Sequence, residues 1–472
     1  MSEAEIPIVV DRQSPVSLTA QLASQLRSAI LNGLLQPEHT LPATRRMATE
    51  LGISRGVVVR AFEQLSGEGF LESSGAGGTK VAVRPDIQSA PLKRTGHHIK
   101  APEAGLIDLT PGRPSGTPFK DREWRNAWKK ALSEQGNTHL PPALGTTALR
   151  EAVTGHLAIS RGLSVEPEDV IITGGTSDAL QLVVAMLRSH ADRPRILVED
   201  PGYPTARRVM RAAGAQLSTV PVDENGLKSS QLAAMSHVPD AVLITPSHQY
   251  PLGGRMAVQE RLGLLKWADR HGVLVLEDDY DSEFRHSRMP LPAVASLPSN
   301  AEVVLLGTFS KNLSPWLRCG YLVVRGDAGH RLKAVREALD TPVAGVLQSA
   351  LAHYIQDGGL ARHITRARRE YSHRRAMLIE RLGSREDLEL TALDGGLHAV
   401  IRFENPDAAD VAAKALQQGV RVIPLAGYYA DRPPVNGLII GYGAVTDLQL
   451  SQALSIIGSL LNSMRAALQV LP

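Results

Sequence analysis

VVLLGTFSKNLSPWLRCGYLVV, residues 303 to 324, sets two apolar, β-branched runs around a polar loop that carries a single lysine, Lys311. Short apolar runs bounded by turn-forming residues read as strands buried on both faces. The same signature recurs upstream in VIIT (170–173), RILVED (195–200), AVLITP (241–246) and VLVLEDD (273–279). Segments of helical period, such as SDALQLVVAMLRS and VQERLGLLKWADRHG, separate most of these runs. The alternation predicts βαβ units and a largely parallel sheet, whose ligands bind beyond the carboxyl ends of the strands. Lys311 falls at such an end.

Within its loop, Thr308 and Ser310 supply hydroxyls and Arg318 a guanidinium, a set suited to a phosphate dianion beside an amine able to form a Schiff base. Desolvation beside cations would lower the pKa of that amine and ease imine formation. EDDYDSEF (277–284) follows another strand-like run; Asp278 could hold a pyridine nitrogen protonated and Tyr280 could donate its hydroxyl to a ring oxygen. IITGGTSDALQLVV (171–184) reads as strand, turn and helix, and Gly175, Thr176 and Ser177 would present the helix N-terminus to the phosphate. In EDPGYP (199–204), Tyr203 could stack on a ring. Taken singly, each feature has a plainer reading: a surface lysine, a solvated acidic loop, an ordinary turn, a core or rim tyrosine.

The N-terminal part has different grammar. Leu18, Leu22, Leu26, Ile30 and Leu34 form an apolar stripe at steps of four, ended by Gly33 and Pro37. LPATRRMATELGISRGVVVRAFEQLSGEGFL (41–71) then holds two short helical patterns joined at Gly52, with Met47, Ala48 and Leu51 apolar in the first and Val58, Ala61 or Phe62, and Leu65 in the second. This predicts a helix-turn-helix with Ser54 as N-cap. Ser54, Arg55, Val57 and Arg60 face away from that apolar side, and Arg45 starts the preceding helix, where cations reach phosphates or guanine edges. GFLESSGAGGTKVAV follows as a hairpin with a glycine-rich tip at Gly75, Gly77 and Gly78. The plainer reading is a small helical bundle with solvated arginines.

Between the two parts, Arg84 to Gly105 mixes Pro, Gly, basic and polar residues without periodicity, which reads as a linker. The chain has 472 residues with 51 Lys and Arg against 48 Asp and Glu, so its net charge of +3 excludes a chain-wide basic coat, and any nucleic-acid contact must be local. One cysteine, Cys319, cannot form an internal disulfide, and MSEAEIPIVV lacks the features of a signal peptide, so a reducing cytoplasm is expected. No apolar run approaches the roughly 18 residues needed to span a bilayer. The C-terminal SQALSIIGSLLNSMRAAL predicts an amphipathic helix packed on its own domain.

The order of parts from Leu18 to Ala82 resembles the winged helix-turn-helix domain of the GntR family, on LRSAILNGLL, LPATR, ELGISR, VVVRAFEQL and GGTKVA. The four C-terminal pieces resemble fold-type I aminotransferases and, with the N-terminal domain, the MocR subfamily of GntR regulators. TPGRPS near Gly112, LGTTALREAVTGHLAISRGL (144–163), TPSHQYPLG (245–253) and GLH (396–398) extend the match. The expected architecture is therefore a winged helix-turn-helix over 1–83, a linker over 84–105, and over 106–472 an α/β aminotransferase-like domain with a smaller C-terminal α+β subdomain.

The resemblance implies pyridoxal 5'-phosphate as cofactor, with Lys311 forming the imine, Asp278 and Tyr280 contacting the ring, Tyr203 stacking, and Thr308, Ser310 and Arg318 holding the phosphate together with the turn Gly175, Thr176 and Ser177. It implies promoter DNA as a partner for Arg45, Ser54, Arg55, Val57 and Arg60 and for the wing residues Gly77, Thr79 and Lys80. A head-to-tail homodimer is implied too, along with a small-molecule effector, the cofactor itself or an amino acid. No metal is expected, and the domain is expected to sense rather than to catalyse. His248 and Gln249 lie in the matched TPSHQ, where shaping the loop and touching a ligand both stay open.

Four positions depart from the family pattern. Val57 stands where threonine is usual and Lys80 where the wing carries an aromatic, which bears on sequence preference. Leu140 stands near the position of a tyrosine that reaches the neighbouring subunit's phosphate. In LIIGY (438–442), Ile439 replaces the arginine that pairs a substrate carboxylate, which disfavours transamination and leans towards the subfamily members that sense pyridoxal phosphate and regulate vitamin B6 synthesis. Arg113 or Arg207 could substitute for that arginine. The rivals are an amino-acid sensor, an aminotransferase with an accessory DNA-binding domain, and a dimerisation scaffold.

Overall fold

A computed structural model describes residues 8–73, 78–82, 105–116, 121–134, 139–286, 291–430 and 435–469. The chain divides into two compact units, Met1–Lys100 and Ala101–Pro472. Most of the linker read at 84–105, and Gly75 and Gly77 of the wing tip, lie outside the described residues.

In the first unit, α1 (Leu18–Leu31) buries Leu22, Leu26 and Ile30, and Ser17 caps it through its hydroxyl. The expected stripe stops there, because the chain turns after Leu31; Leu34 is exposed and Leu35 is buried in its place. α2 (Thr44–Glu50) contributes Met47 and Ala48 to the core, and α3 (Arg55–Gly67) contributes Val58, Ala61, Phe62 and Leu65. Ser54 occupies the N-cap position of α3 as expected, but its side chain makes no cap hydrogen bond. β1 (Leu71–Ser73) and β2 (Thr79–Val81) close the unit as an antiparallel pair.

The second unit opens with β3 (Ile107–Asp108), and its main sheet comprises β4 (Val170–Thr173), β5 (Arg195–Asp200), β6 (Gln216–Pro221), β7 (Ala241–Ile244), β8 (Leu274–Asp279), β9 (Val303–Thr308) and β10 (Gly320–Val324). The order is β4-β10-β9-β8-β7-β5-β6, parallel throughout except that β10 runs against both neighbours. All the strands expected from apolar runs are present. β6 was not legible as one: it is an edge strand, so QLSTVP buries only Val220 fully and carries no apolar run. Alternation divides the buried residues between two layers, Ala241 and Leu243 packing in one core and Val242 and Ile244 in another. Helices on both faces are what bury β4, β7 and β10 at every position.

A smaller sheet, β11 (Glu389–Thr391), β12 (His398–Arg402), β14 (Ile423–Pro424) and β15 (Gly437–Gly441), is antiparallel in the order β11-β12-β15-β14. β13 (Val420–Arg421) pairs with β3. The C-terminal helix, Asp447–Gln469, buries Leu450, Leu454, Ile457 and Leu461 in the domain core, as its period predicts. Among the described residues no helix is long and apolar enough to cross a membrane.

Candidate functional site

The carboxyl ends of β4, β5, β7, β8 and β9 bring together residues far apart in the chain. Lys311 sits on the short helix Phe309–Asn312 directly after β9, partly buried, and its Nζ donates to the Gly112 carbonyl at 2.7 Å. A Cβ at position 112 would fall 2.3 Å from that Nζ, so a side chain there would make the end of the lysine shift, and Gly112 itself stands at φ 76°, where other residues are strained. Burial lowers the amine pKa, against the pull of Asp278 and Asp281. The expectation of neighbouring cations is corrected here: the groups acting on Lys311 are carboxylates, and desolvation alone pushes its pKa down.

Asp278 points to this site while its strand neighbours serve the fold. Glu277 accepts from the amides of Val294 and Ala295, and Asp279 pairs with Arg161 at 2.9 Å. Asp278 is 5% exposed, and its Oδ1 is buried without a hydrogen-bond partner. An uncompensated buried carboxylate oxygen is costly, and a protonated ring nitrogen is the kind of partner that would satisfy it. Burial first, then Asp279, raise Asp278 to about 7, with Lys311 working against the rise. Without cofactor, Asp278 is then protonated in the folded chain where the unfolded chain is ionised. That contribution to stability is full below the usual aspartate range and is lost as pH rises through about 7. Asp278→Asn, neutral at every pH, should therefore show a smaller fall in melting temperature than the parent between about pH 5 and 7.5, measured without cofactor by thermal unfolding. Parallel curves would contradict the assignment.

Tyr203 caps the helix Pro204–Ala212 and packs edge-on against Tyr250, ring centroids 5.8 Å apart. Burial raises its hydroxyl pKa; Asp278 adds to the rise and Arg318 opposes it, so both act on the same ring. Arg318, in the left-handed region at φ 45°, brings its guanidinium to 3.9 Å from where a Cβ on Gly175 would lie. Gly175, at φ 90°, is the N-cap of the helix Thr176–Arg188, whose first amides have no partner within the helix. Arg318 and the Gly175, Thr176, Ser177 turn thus form one corner, as a phosphate requires. Thr308 uses its hydroxyl oxygen to accept from the Ser310 amide at 3.1 Å, so it caps the lysine helix, and Ser310 is half-buried beside it.

Tyr280 departs from expectation. Its hydroxyl donates to the His248 carbonyl at 2.9 Å and lies 3.0 Å from His248 Nδ1, where the sequence suggested only a ring oxygen. Gln249 is fully enclosed and bonds Pro201, Tyr250 and Leu252, which gives it a structural role. Glu199, missed in the sequence, accepts from the Thr245 hydroxyl at 2.5 Å, and burial raises it to about 7. Ile439 is wholly buried on β15 and packs with Tyr250, Val400, Leu425 and Tyr428, against which Tyr203 and Tyr280 rest. Ile439 brings no charge into this cluster, whose polar atoms include the Tyr250 and Tyr428 hydroxyls, 3.3 Å apart. Arg113 is 2.6 Å from Asp108, and Arg207 donates to the Tyr428 carbonyl and lies 3.5 Å from Asp200, so the two substitutes considered for an arginine at 439 are engaged within the protein.

In the N-terminal unit Arg45, Ser54, Arg55 and Arg60 are exposed and Val57 is half-buried on the same helix pair. Arg55 Nε lies 3.4 Å from Thr44 Oγ1, linking the start of α3 to the start of α2. Thr79 begins β2 and is half-buried. Lys80 Nζ is 3.2 Å from Glu38, which offsets the charge the lysine would add to the wing. Gly77 lies outside the described residues.

Residues 104–457 match the family of class I and II aminotransferases, and residues 18–81 match the gntR family of bacterial regulatory proteins. The chain is 37% identical over 446 residues to the HTH-type pyridoxine biosynthesis transcriptional regulator PdxR of Corynebacterium glutamicum, covering 93% of this chain and 95% of that protein. It is 32% identical over 481 residues to the probable rhizopine catabolism regulatory protein MocR of Rhizobium meliloti, covering 98% and 95%. Among solved structures, LysN, an α-aminoadipate aminotransferase of Thermus thermophilus complexed with N-(5'-phosphopyridoxyl)-L-leucine, superposes with a TM-score of 0.68 at 26% identity over 77% of this chain and 94% of that one. A GntR-type reading head and a class I and II aminotransferase unit, matched along nearly the whole chain by regulators of the same composition, place this protein in the MocR-type GntR family of transcription regulators.

Proposed function

We propose that this protein binds pyridoxal 5'-phosphate and promoter DNA and uses the cofactor as its signal, not as the tool of a transaminase. What supports the reading is Lys311 and the unpartnered Asp278 oxygen at the carboxyl ends of β9 and β8, together with an isoleucine, Ile439, buried where the family pattern has an arginine. Bound pyridoxal phosphate supplies an aldehyde for an amine and a ring nitrogen that withdraws electrons when protonated. Lys311 presents its amine, which burial keeps easier to deprotonate. Asp278 holds a proton on the ring nitrogen, Tyr203 lies against the ring, and Arg318 with the Gly175, Thr176, Ser177 turn takes the phosphate. Thr308 and Ser310 shape the lysine helix and border that corner.

An amino-acid effector would have to desolvate a carboxylate against Ile439, and a buried carboxylate needs a guanidinium to offset that cost. The named full-length relatives are regulators, which favours sensing over catalysis. Trp316, 90% exposed and between Lys311 and Arg318 in the chain, favours a second subunit covering the lysine loop, and Leu140 is a further exposed apolar side chain, as a head-to-tail homodimer would cover. A cytoplasmic location follows from a role on DNA. Arg45, Arg55 and Arg60 contact the duplex, with Ser54, Val57, Thr79, Lys80 and Gly77 alongside. Pyridoxal phosphate shifts DNA affinity only if it binds two arrangements of the protein unequally.

The test combines DNA-binding assays on cofactor-free and cofactor-loaded protein with an absorbance titration of the loaded protein by a panel of amino acids. Pyridoxal phosphate should change DNA affinity, and amino acids should change neither the spectrum nor DNA binding. Saturable spectral conversion by one amino acid, or identical DNA binding with and without cofactor, would overturn the proposal.

A further inference from the structure

Beside the cofactor set lies a buried group of three side chains that the sequence left scattered: His248 after β7, Asp281 after β8 and His398 on β12. His248 Nδ1 is 2.8 Å from Asp281 Oδ2 and 3.0 Å from Tyr280 Oη. The rings of His248 and His398 are 5.3 Å apart, and His398 Nε2 is 2.9 Å from the Pro251 carbonyl. The fit is close: a Cβ at Gly396 would fall 2.4 Å from Asp281 Oδ2 and 2.7 Å from His248 Cε1.

The ligating atoms lie within 4.8 Å of one another, a spacing that would also suit a metal ion. Hydrogen bonding accounts for it better. A carbonyl only accepts, so His398 Nε2 carries a hydrogen directed at Pro251; a carboxylate accepts likewise, so His248 carries its hydrogen on Nδ1. One nitrogen of each histidine is thereby occupied as a donor, while His248 Nε2 is buried without a hydrogen-bond partner. The Nδ1 hydrogen lies between Asp281 Oδ2 and Tyr280 Oη, and the Tyr280 hydroxyl hydrogen is directed elsewhere, to the His248 carbonyl.

We infer that His248 and Asp281 are positioning residues for the cofactor, acting through Tyr280. Asp281 fixes the hydrogen of His248 on Nδ1, and that one N–H, 2.8 Å from Asp281 Oδ2, is shared with Tyr280 Oη at 3.0 Å. With its oxygen already accepting, Tyr280 keeps its one hydrogen for donation. Turned from the His248 carbonyl to the ring oxygen, it donates more strongly because hydrogen bonds in series polarise one another. This favours the ionised ring oxygen. The inference rests on the reading that Tyr280 faces the cofactor.

The test compares absorbance spectra of full-length protein loaded with pyridoxal phosphate, for the parent and for His248→Ala, His248→Asn, Asp281→Asn and Tyr280→Phe, with borohydride trapping to confirm attachment at Lys311. Loss of one such hydrogen bond should lower the ratio of visible to near-ultraviolet absorption at neutral pH by about 2- to 10-fold in His248→Ala. Asparagine, whose amide N–H can take the place of Nδ1–H, should restore most of the ratio. Asp281→Asn should shift it in the same direction as His248→Ala and serves as the readout if the alanine variant does not fold. An unchanged ratio in both His248→Ala and Asp281→Asn, or equal losses in the alanine and asparagine variants at His248, would overturn the inference. A spectrum that responds to chelator would also overturn it and assign the group to a metal ion. If Tyr280→Phe leaves the spectrum unchanged, the underlying placement of Tyr280 fails; if Tyr280→Phe shifts it and the His248 variants do not, only the positioning role fails.

Discussion

Lys311→Ala should abolish the visible absorption that purified protein acquires on addition of pyridoxal phosphate, leaving the spectrum of free cofactor. The effect is all-or-none because the band requires a covalent link, and the amine proposed for that link is Lys311, whose Nζ donates to the Gly112 carbonyl at the carboxyl end of β9. The fold should survive. What the variant gives up inside the protein is the hydrogen bond to the Gly112 carbonyl, worth about 0.5 to 1.5 kcal/mol, and the alkyl packing of a partly buried side chain. Against a typical stability of about 5 to 15 kcal/mol this is affordable, and far-ultraviolet circular dichroism should be unchanged. Lys311→Arg keeps the charge but cannot form the link, so it should lose the band too. A visible band that persists in either variant would place the cofactor on another amine.

How much of this was legible beforehand differs by element, for physical reasons. The buried strands announced themselves because a sheet covered on both faces favours near-continuous apolar runs, whereas β6, at the sheet edge, buries one residue fully and offered no run to read. Asp278 could be singled out because it lies next to last at the carboxyl end of such a strand, and alternation along β8 explains why Glu277 and Asp279, its neighbours, serve other partners. The link from Tyr280 to His248 was not legible. It joins side chains 32 positions apart, and the connection from His248 to His398 crosses from the main sheet's loops to the smaller sheet. Local patterns also overstate isolated charges and caps: Lys80 reads as free wing charge until Glu38 is found beside it, and Ser54 as a hydroxyl cap whose hydroxyl makes no such bond. Ile439 is the converse case, where one residue in a recognisable pattern carried its meaning into the fold, as a buried side chain without charge.

Arg45→Ala combined with Arg55→Ala should remove most promoter binding while leaving the cofactor site intact. Both side chains are exposed on the helix pair whose opposite side is the core, so their loss should cost little fold stability, within about 0.5 kcal/mol each. Each contact to a phosphate or a guanine edge is worth about 1 to 3 kcal/mol, so independent losses would weaken the complex by about 30-fold to more than 10,000-fold. Arg55 approaches Thr44, the residue before Arg45, so the two are near enough to couple, and the double variant should fall short of the sum of the singles. Salt separates the roles: for each phosphate contact removed, the slope of log affinity against log salt should flatten by about 0.9, whereas loss of a base contact should leave the slope and relax sequence preference. Lys80→Ala supplies the contrast, because Glu38 already offsets its charge, and it should change both affinity and slope less than either arginine. Titrations at several salt concentrations with the promoter and a scrambled duplex measure all three. Full affinity in the double variant, or a Lys80 effect larger than that of Arg55, would move the DNA-reading surface off the helix pair.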